Sequence, residues 1–498
     1  MFEHVTPESV GISSKDIQKY VSLLERYHLS THSIVMLRHG KVFYENYWKP
    51  FSKDFLHRMY SVTKSFVGIA MGFLEQDGLI DLDAPAVSYL DKEITASARE
   101  NIQNQTVRDM LMMSTGCTEN TMKWFGRRGD RLKDYFDSAA PECEGVSKIP
   151  GAIFDYDSPG TFVMGAIAER ITGKKLIDYL REKFLDKIGF SKEAYILSCP
   201  GGHSWTDSAM MCTAMDLARV CQFMLSGGSW NGEQILNREY ALQATSDLIS
   251  TNRVGHLIPS SYGYGYQIWQ TVGGSFMFNG MGSQYGIGIP EKDIVFVINS
   301  DNQAHPCPMH IIIDRFFEEV VEKASDNPLP EDAPAHKELM DYSDSLELFS
   351  LSVGCKDNVA SKVSGKEYIT DDNPMGITKM KFTFEYDKCV WEYTNAQGDK
   401  KLEFGMGKNI YGVFPEEGYS DTVAATFAEG HYYKCASSAS WTHPDKLEML
   451  VQVIDKYFGR LHMRVAFVGE DRVAVSMFKI AEDFMNEYEG YVQGKSKF

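Results

Sequence analysis

Taken as a pattern of apolar and polar positions, the chain changes period along its length. Residues 8–27 carry apolar side chains at helical spacing behind a capping serine, which predicts an amphipathic first helix. The stretch 33–48 alternates instead, and His39-Gly40 at its middle predicts two strands joined by a tight turn. From Ser61, the positions Phe66, Val67, Ile69, Ala70, Phe73 and Leu74 run without a breaker to Asp77-Gly78, predicting a buried helix. Helical signals dominate 79–225: a capped helix at 106–116, a longer periodicity over 160–187, and an amphipathic helix over 213–226 closed by Gly227-Gly228. Strand patterns return at 262–269, 274–278, 285–289 and 293–299, and a helix over 310–324 follows. The order hairpin, helices, strands, helix implies an α+β domain: both of its ends share one antiparallel sheet, flanked by helices, with the middle third as a helical layer.

Residues 326–335 hold three prolines and three acids and read as a linker. Beyond about 345 the pattern becomes short alternating runs, at 380–386, 389–393, 461–467 and 473–478. They predict a separate all-β domain, a lipocalin-like barrel or a sandwich. The expected organisation is therefore 1–325, a linker 326–335, and 336–498, and 498 residues are ample for two domains.

Composition narrows the partners. Hydrophobic content of 43% with 24% charged residues is that of a soluble globular protein. A net charge of −18 without a Lys/Arg cluster disfavours nucleic acid. No basic or apolar leader follows Met1 and no apolar run approaches 18 residues, so no membrane association is expected. Nine dispersed cysteines without C-x-x-C pairs suit a reducing compartment, and a cytoplasmic location is the expectation. The histidines show no metal-ligand spacing, so neither metal nor cofactor is called for.

Ser61-Val-Thr-Lys64 places a hydroxyl and an amine three residues apart at the start of the apolar helix, on one face. A serine hydroxyl needs a base before it attacks, and burial turns an amine into such a base. The helix N-terminus adds N–H groups for a developing oxyanion. A second Ser-x-x-Lys, Ser476 to Lys479, lies in alternating, strand-like sequence where positions three apart face opposite sides.

The first two thirds resemble the serine beta-lactamase and penicillin-binding-protein superfamily, in its class C-like branch of esterases and 6-aminohexanoate-dimer hydrolases. The resemblance rests on Arg38-His-Gly-Lys-Val, Ser61-Val-Thr-Lys-Ser, 77–83, 107–116, 150–156, Leu217-Ala-Arg219, 228–232, Gly280-Met-Gly-Ser-Gln-Tyr285 and Pro290-Glu-Lys-Asp-Ile-Val, in that order. It implies a nucleophilic Ser61, with Lys64 as its partner in proton transfer and Tyr156 in the place of the Tyr-x-Asn tyrosine. Ser158 stands where that motif has asparagine; it has one hydroxyl in place of an amide, which bears on substrate orientation. The Lys/His-Thr-Gly motif is missing and Gly280-Met-Gly-Ser-Gln284 takes its place. That implies Ser61 and Met281 N–H groups as the oxyanion hole and Gly280, Gly282 and Gln284 beside the substrate, although counting back without gaps from Pro290 puts the motif nearer 275–277. Trp124, Tyr135 and Trp269 are the aromatic candidates for the pocket.

The expected function is hydrolysis of an ester or linear amide through a Ser61 acyl-enzyme, with a small-molecule substrate and a homo-oligomer as a further expectation. Two other readings stand beside it. One is a beta-lactamase or DD-peptidase, disfavoured by the absent cationic motif; the other is a catalytically silent ligand-binding or scaffold protein on the same fold.

Overall fold

The computed structural model describes residues 2–117, 130–137, 148–251, 258–423, 426–482 and 484–496. Two compact units make up the chain, Met1–Glu347 with Asp421–Ala424, and Leu348–Ser420 with Ala425–Phe498.

The first unit is built on a seven-stranded sheet in the order Glu3–His4, Lys41–Tyr47, Thr31–Arg38, Ile294–Ser300, Gln284–Ile289, Ser275–Gly280 and Trp269–Thr271. All neighbours are antiparallel except the first pair. The hairpin forms as the alternation predicts: His39 and Gly40 both take positive φ, 53° and 68°, as a two-residue turn matched to strand twist requires. Strands from the two ends of the unit lie side by side, with Met36 opposite Phe296 and Ile34 opposite Ile298. Thr31–Arg38 and Ile294–Ser300 are buried along their whole length. One face is covered by the helix Ser14–Arg26 and the helical turns His310–Asp314 and Phe317–Val321, where Phe316 stacks on Phe296 at 4.1 Å and Tyr20 meets both edge-on. Ala214–Leu225 packs against the same strands, started by a capping box of Thr213 and Asp216.

Two features depart from the sequence pattern. The alternating run 262–269 forms a strand only from Trp269, because Gly263 (φ 129°) and Gln267 (φ 60°) turn the backbone, and at Gly265 the chain passes so close to the Ala244 carbonyl that a Cβ would lie 2.2 Å from it. The proline-rich stretch 326–335 leads into the helix Ala333–Asp344, which belongs to the first unit. Leu339 sits in the core beside the first helix, and the Tyr44 and Ser343 hydroxyls meet at 2.9 Å.

In the second unit, strand Phe427–His443 pairs with Ile410–Tyr419, with Lys446–Ile454 and, over two residues, with Gly398–Met406. That last pairing closes nine strands into a barrel. Its aromatic cluster includes Phe382, Trp391, Trp441 and Phe467, with Phe382 stacked on Trp391 and edge-on to Phe467. Ser476 lies in the strand Arg472–Ile480, and the Lys479 amine donates to the carbonyls of Glu482 and Phe484.

Candidate active site

The chain reaches Ser61 through a short strand. His57 and Arg58 pair with Cys212 and Met211, and the Met59 N–H continues to the Met210 carbonyl at 2.9 Å. Tyr60 then takes φ 47°, a left-handed conformation that costs a non-glycine residue about 1 kcal/mol. Its neighbours over-determine it. The Arg58 guanidinium lies 4.3 Å from the Tyr60 ring and 4.5 Å from the Trp205 ring, and the Thr63 hydroxyl donates to the Tyr60 carbonyl at 2.6 Å while accepting from the Met210 N–H at 3.0 Å. A tight turn over Tyr60–Val62 runs directly into the helix Thr63–Gln76. Ser61 is left half-buried between the buried Tyr60 and Val62.

Lys64 is 1% exposed. Its amine lies 3.0 Å from the Ser61 Oγ, 2.6 Å from the Asp207 carbonyl oxygen and 5.1 Å from the centre of the Tyr156 ring. With the amine charged it donates to both oxygens. With the amine neutral, its lone pair can receive the Ser61 proton across the same 3.0 Å, the geometry general-base activation needs.

Tyr156 is half-buried and stacks on Trp269 at 5.7 Å and 22°, and Phe154 and Tyr264 pack behind Trp269. Ser158, the first residue of the helix Ser158–Thr172, is buried and donates to the Asp207 carboxylate at 3.1 Å. Tyr135 is buried too: it donates to Asp157, the N-cap of that helix, and accepts from Gln105. Burial against Asp157 pushes the Tyr135 hydroxyl well above the usual phenol range. Trp124 lies outside the described residues.

The strand Ser275–Gly280 flanks this group along its length. Met277 is opposite Trp269, and Gly280 abuts the Met59 peptide, where a Cβ would lie 2.3 Å from the Met59 oxygen. Beyond it Met281 is exposed, Gly282 and Ser283 take φ 81° and 73°, and the turn is braced by the buried Gln284. The Gln284 amide donates to the Met281 carbonyl at 3.0 Å and the Ser300 carbonyl at 2.6 Å, and its oxygen accepts from the Ser300 N–H. The structure therefore assembles Ser61, Lys64, Tyr156 and Trp269 around one strand, with Ser158 linked to them through Asp207. Gln284 contributes as the brace of the turn. Asp207, Arg131 and Arg58 carry no short motif in the sequence; only their contacts mark them.

His57, in the short strand that leads to Ser61, is paired with a second buried histidine. His32 stacks on Phe51 at 3.9 Å, and its Nδ1 meets the His57 Nε2 at 2.9 Å, while the His57 Nδ1 meets the Arg58 carbonyl at 2.9 Å. A carbonyl only accepts, so the His57 proton sits on Nδ1 and Nε2 accepts from His32. Burial lowers the His57 pKa from 6.5 to about 3. The folded state therefore keeps His57 neutral where the unfolded chain protonates it, and stability present above pH 6.5 is lost as the pH falls toward 3. The expected loss by pH 5 is about 2 kcal/mol, seen as a falling Tm, and His57→Gln should flatten that acid limb.

The beta-lactamase family model matches residues 17–309, and the chain belongs to that family. It is similar to the 6-aminohexanoate-dimer hydrolase of Paenarthrobacter ureafaciens, 28% identical over 221 residues, 42% of this chain and 55% of the relative. It is also similar to the esterase/beta-lactamase LipL of Mycobacterium tuberculosis, 25% identical over 145 residues, 28% of this chain and 31% of the relative. The matched region thus spans about half or less of these relatives. Among solved structures, one from Bacillus anthracis designated a 6-aminohexanoate-dimer hydrolase aligns at TM-score 0.50 and 22% identity over 66% of this chain and 89% of that one. The octameric penicillin-binding protein homologue of Pyrococcus abyssi aligns at TM-score 0.50 and 17% identity over 96% and 99%. These two likenesses are of fold. Among the described residues no helix is long and apolar enough to cross a membrane.

Proposed function

We propose that the protein hydrolyses a small ester or linear amide through an acyl-enzyme on Ser61. The observation that carries this is the 3.0 Å contact of the buried Lys64 amine with the Ser61 Oγ at the start of an apolar helix. Ser61 Oγ bonds to the substrate's carbonyl carbon while its proton passes to the Lys64 and Tyr156 pair. That pair returns a proton to the alcohol or amine as the acyl–heteroatom bond breaks, and water then takes the serine's place and releases the acid. N–H groups of Ser61 and of the strand and turn 275–281, Met281 among them, receive the oxyanion. Trp269, stacked on Tyr156, forms an apolar wall for the acyl or leaving group. No cationic side chain stands at Gly280-Met281-Gly282, which favours a substrate without a carboxylate there. The relatives named as a 6-aminohexanoate-dimer hydrolase and an esterase support the linear amide and the ester. Neither step needs a cofactor. Buried thiols such as Cys212, Cys221 and Cys389 suit a cytoplasmic home, and assembly into a homo-oligomer is part of this reading.

The test is intact mass spectrometry after a fluorophosphonate, followed by a screen of p-nitrophenyl esters, linear amides and ampicillin. One adduct and turnover of an ester or linear amide is the expected result. Ampicillin as the sole substrate would favour a beta-lactamase, and a folded protein that neither labels nor turns over would leave a silent binder. Tyr156→Phe keeps the stack on Trp269 and loses only the hydroxyl, so kcat should fall about 10²-fold with little change in Tm.

A further inference from the structure

Asp207 is fully buried where three elements meet. Its peptide carbonyl accepts from the Lys64 amine at 2.6 Å. Its carboxylate accepts from the Ser158 hydroxyl at 3.1 Å and faces the two terminal nitrogens of Arg131 at 3.4 and 3.5 Å. Arg131 comes from the short helix Arg131–Phe136, is 6% exposed, lies 4.3 Å from the Phe162 ring, and donates to the Cys199 sulfur at 3.1 Å. The next residue is held from the other side: the Ser208 carbonyl and hydroxyl accept from Arg58 at 3.3 and 3.2 Å. Two buried arginines therefore grip consecutive residues.

A buried ion pair is a poor source of stability, because desolvating two charges offsets most of their attraction and an apolar pair of the same volume packs as well. What a guanidinium fork does supply is orientation: it fixes the plane of the carboxylate it faces. Here the carboxylate belongs to the residue whose carbonyl holds Lys64. A lysine has four rotatable side-chain bonds, and the catalytic contact needs one rotamer. We infer that Arg131 and Asp207 are positioning residues: Arg131, with Ser158, locks the Asp207 peptide so that its carbonyl keeps the Lys64 amine on the Ser61 Oγ. Neither touches the reacting atoms. The inference rests on the reading above that Lys64 serves Ser61.

The experiment uses the full chain with Arg131→Met, Arg131→Lys and the double variant Arg131→Met/Asp207→Asn, which leaves no uncompensated charge and so protects the fold. Saturation kinetics with a fluorophosphonate separate reversible binding, KI, from bond formation, kinact, and thermal melts report folding. In Arg131→Met, kinact should fall 10- to 100-fold with KI within twofold. Arg131→Lys should recover part of the loss, and the double variant should fold and stay slow. Unchanged kinact at the remaining titratable sites, with only a lower Tm or a smaller active fraction, would reduce the pair to a structural role and overturn the inference. A wild type that does not label would sink the hydrolase reading instead. The positioning claim would then be decided by a crystal structure of Arg131→Met: a Lys64 amine displaced from the Asp207 carbonyl supports it, and one still in place refutes it.

Discussion

Ser61→Ala should leave a folded protein that forms no fluorophosphonate adduct and whose ester or amide turnover is lower by at least about 10³-fold. The fold is expected to survive because Ser61 is half-buried and the contact removed is the one with Lys64. Losing such a hydrogen bond costs about 1 kcal/mol, a shift of a few degrees in Tm. The expected chemical loss is far larger, since on this reading Ser61 Oγ forms the acyl bond and the Lys64 amine and Tyr156 hydroxyl handle its proton. Lys64→Met should be nearly as slow while retaining the hydroxyl, and Ser61→Ala/Lys64→Met should be little worse than either alone, because groups that act as one unit do not add. Intact mass and steady-state rates check both statements. An adduct that persists in Ser61→Ala would place the reactive group elsewhere and end the reading.

The second large effect is expected at a residue with no functional group. Gly280→Ala would set a Cβ 2.3 Å from the Met59 oxygen, well inside any real contact; that oxygen accepts from the Val62 N–H at 3.1 Å, and the Met59 N–H is itself held to the Met210 carbonyl at 2.9 Å. Neither backbone can yield without moving, and Met59 is two residues ahead of Ser61. A displacement near 1 Å in a catalytic group costs about 10²-fold in rate. Acylation by a fluorophosphonate should fall by that factor and Tm by several degrees. Met281→Ala, on the exposed side of the same turn, should leave both nearly unchanged because its side chain is exposed and only its N–H is invoked. Full acylation in a folded Gly280→Ala would mean that the strand end does not govern the position of Ser61.

Much of this was legible in residues with short-range meaning. His39-Gly40 is a turn for stereochemical reasons that act over two residues, and Ser61 and Lys64 are joined by one turn of helix. The same local logic failed at 262–269, where alternating tyrosines and glycines have the letters of a strand but Gly263 and Gly265 serve close backbone approaches to distant residues. It failed again at 326–335, since three prolines disrupt regular structure without marking where one core ends and the next begins. Arg131 and Asp207 were invisible for a deeper reason: a buried ion pair consists of two residues that the composition alone counts as surface, 76 positions apart. The place of the third motif was ambiguous between 275–277 and 280–281, and one strand with the turn at its end carries both, with Met277 against Trp269 and Gly280 against Met59.

The pairing of Met36 with Phe296 also bears on how the protein is made. A ribosome delivers Thr31–Arg38 early and its partner Ile294–Ser300 only after most of the first unit has emerged, so one long edge of buried-type side chains waits unpaired throughout. Such non-local pairing slows folding and exposes an aggregation-prone edge meanwhile. Chains cut short before residue 294 should accumulate as inclusion bodies, and slower synthesis at low temperature should raise the soluble yield of the full chain.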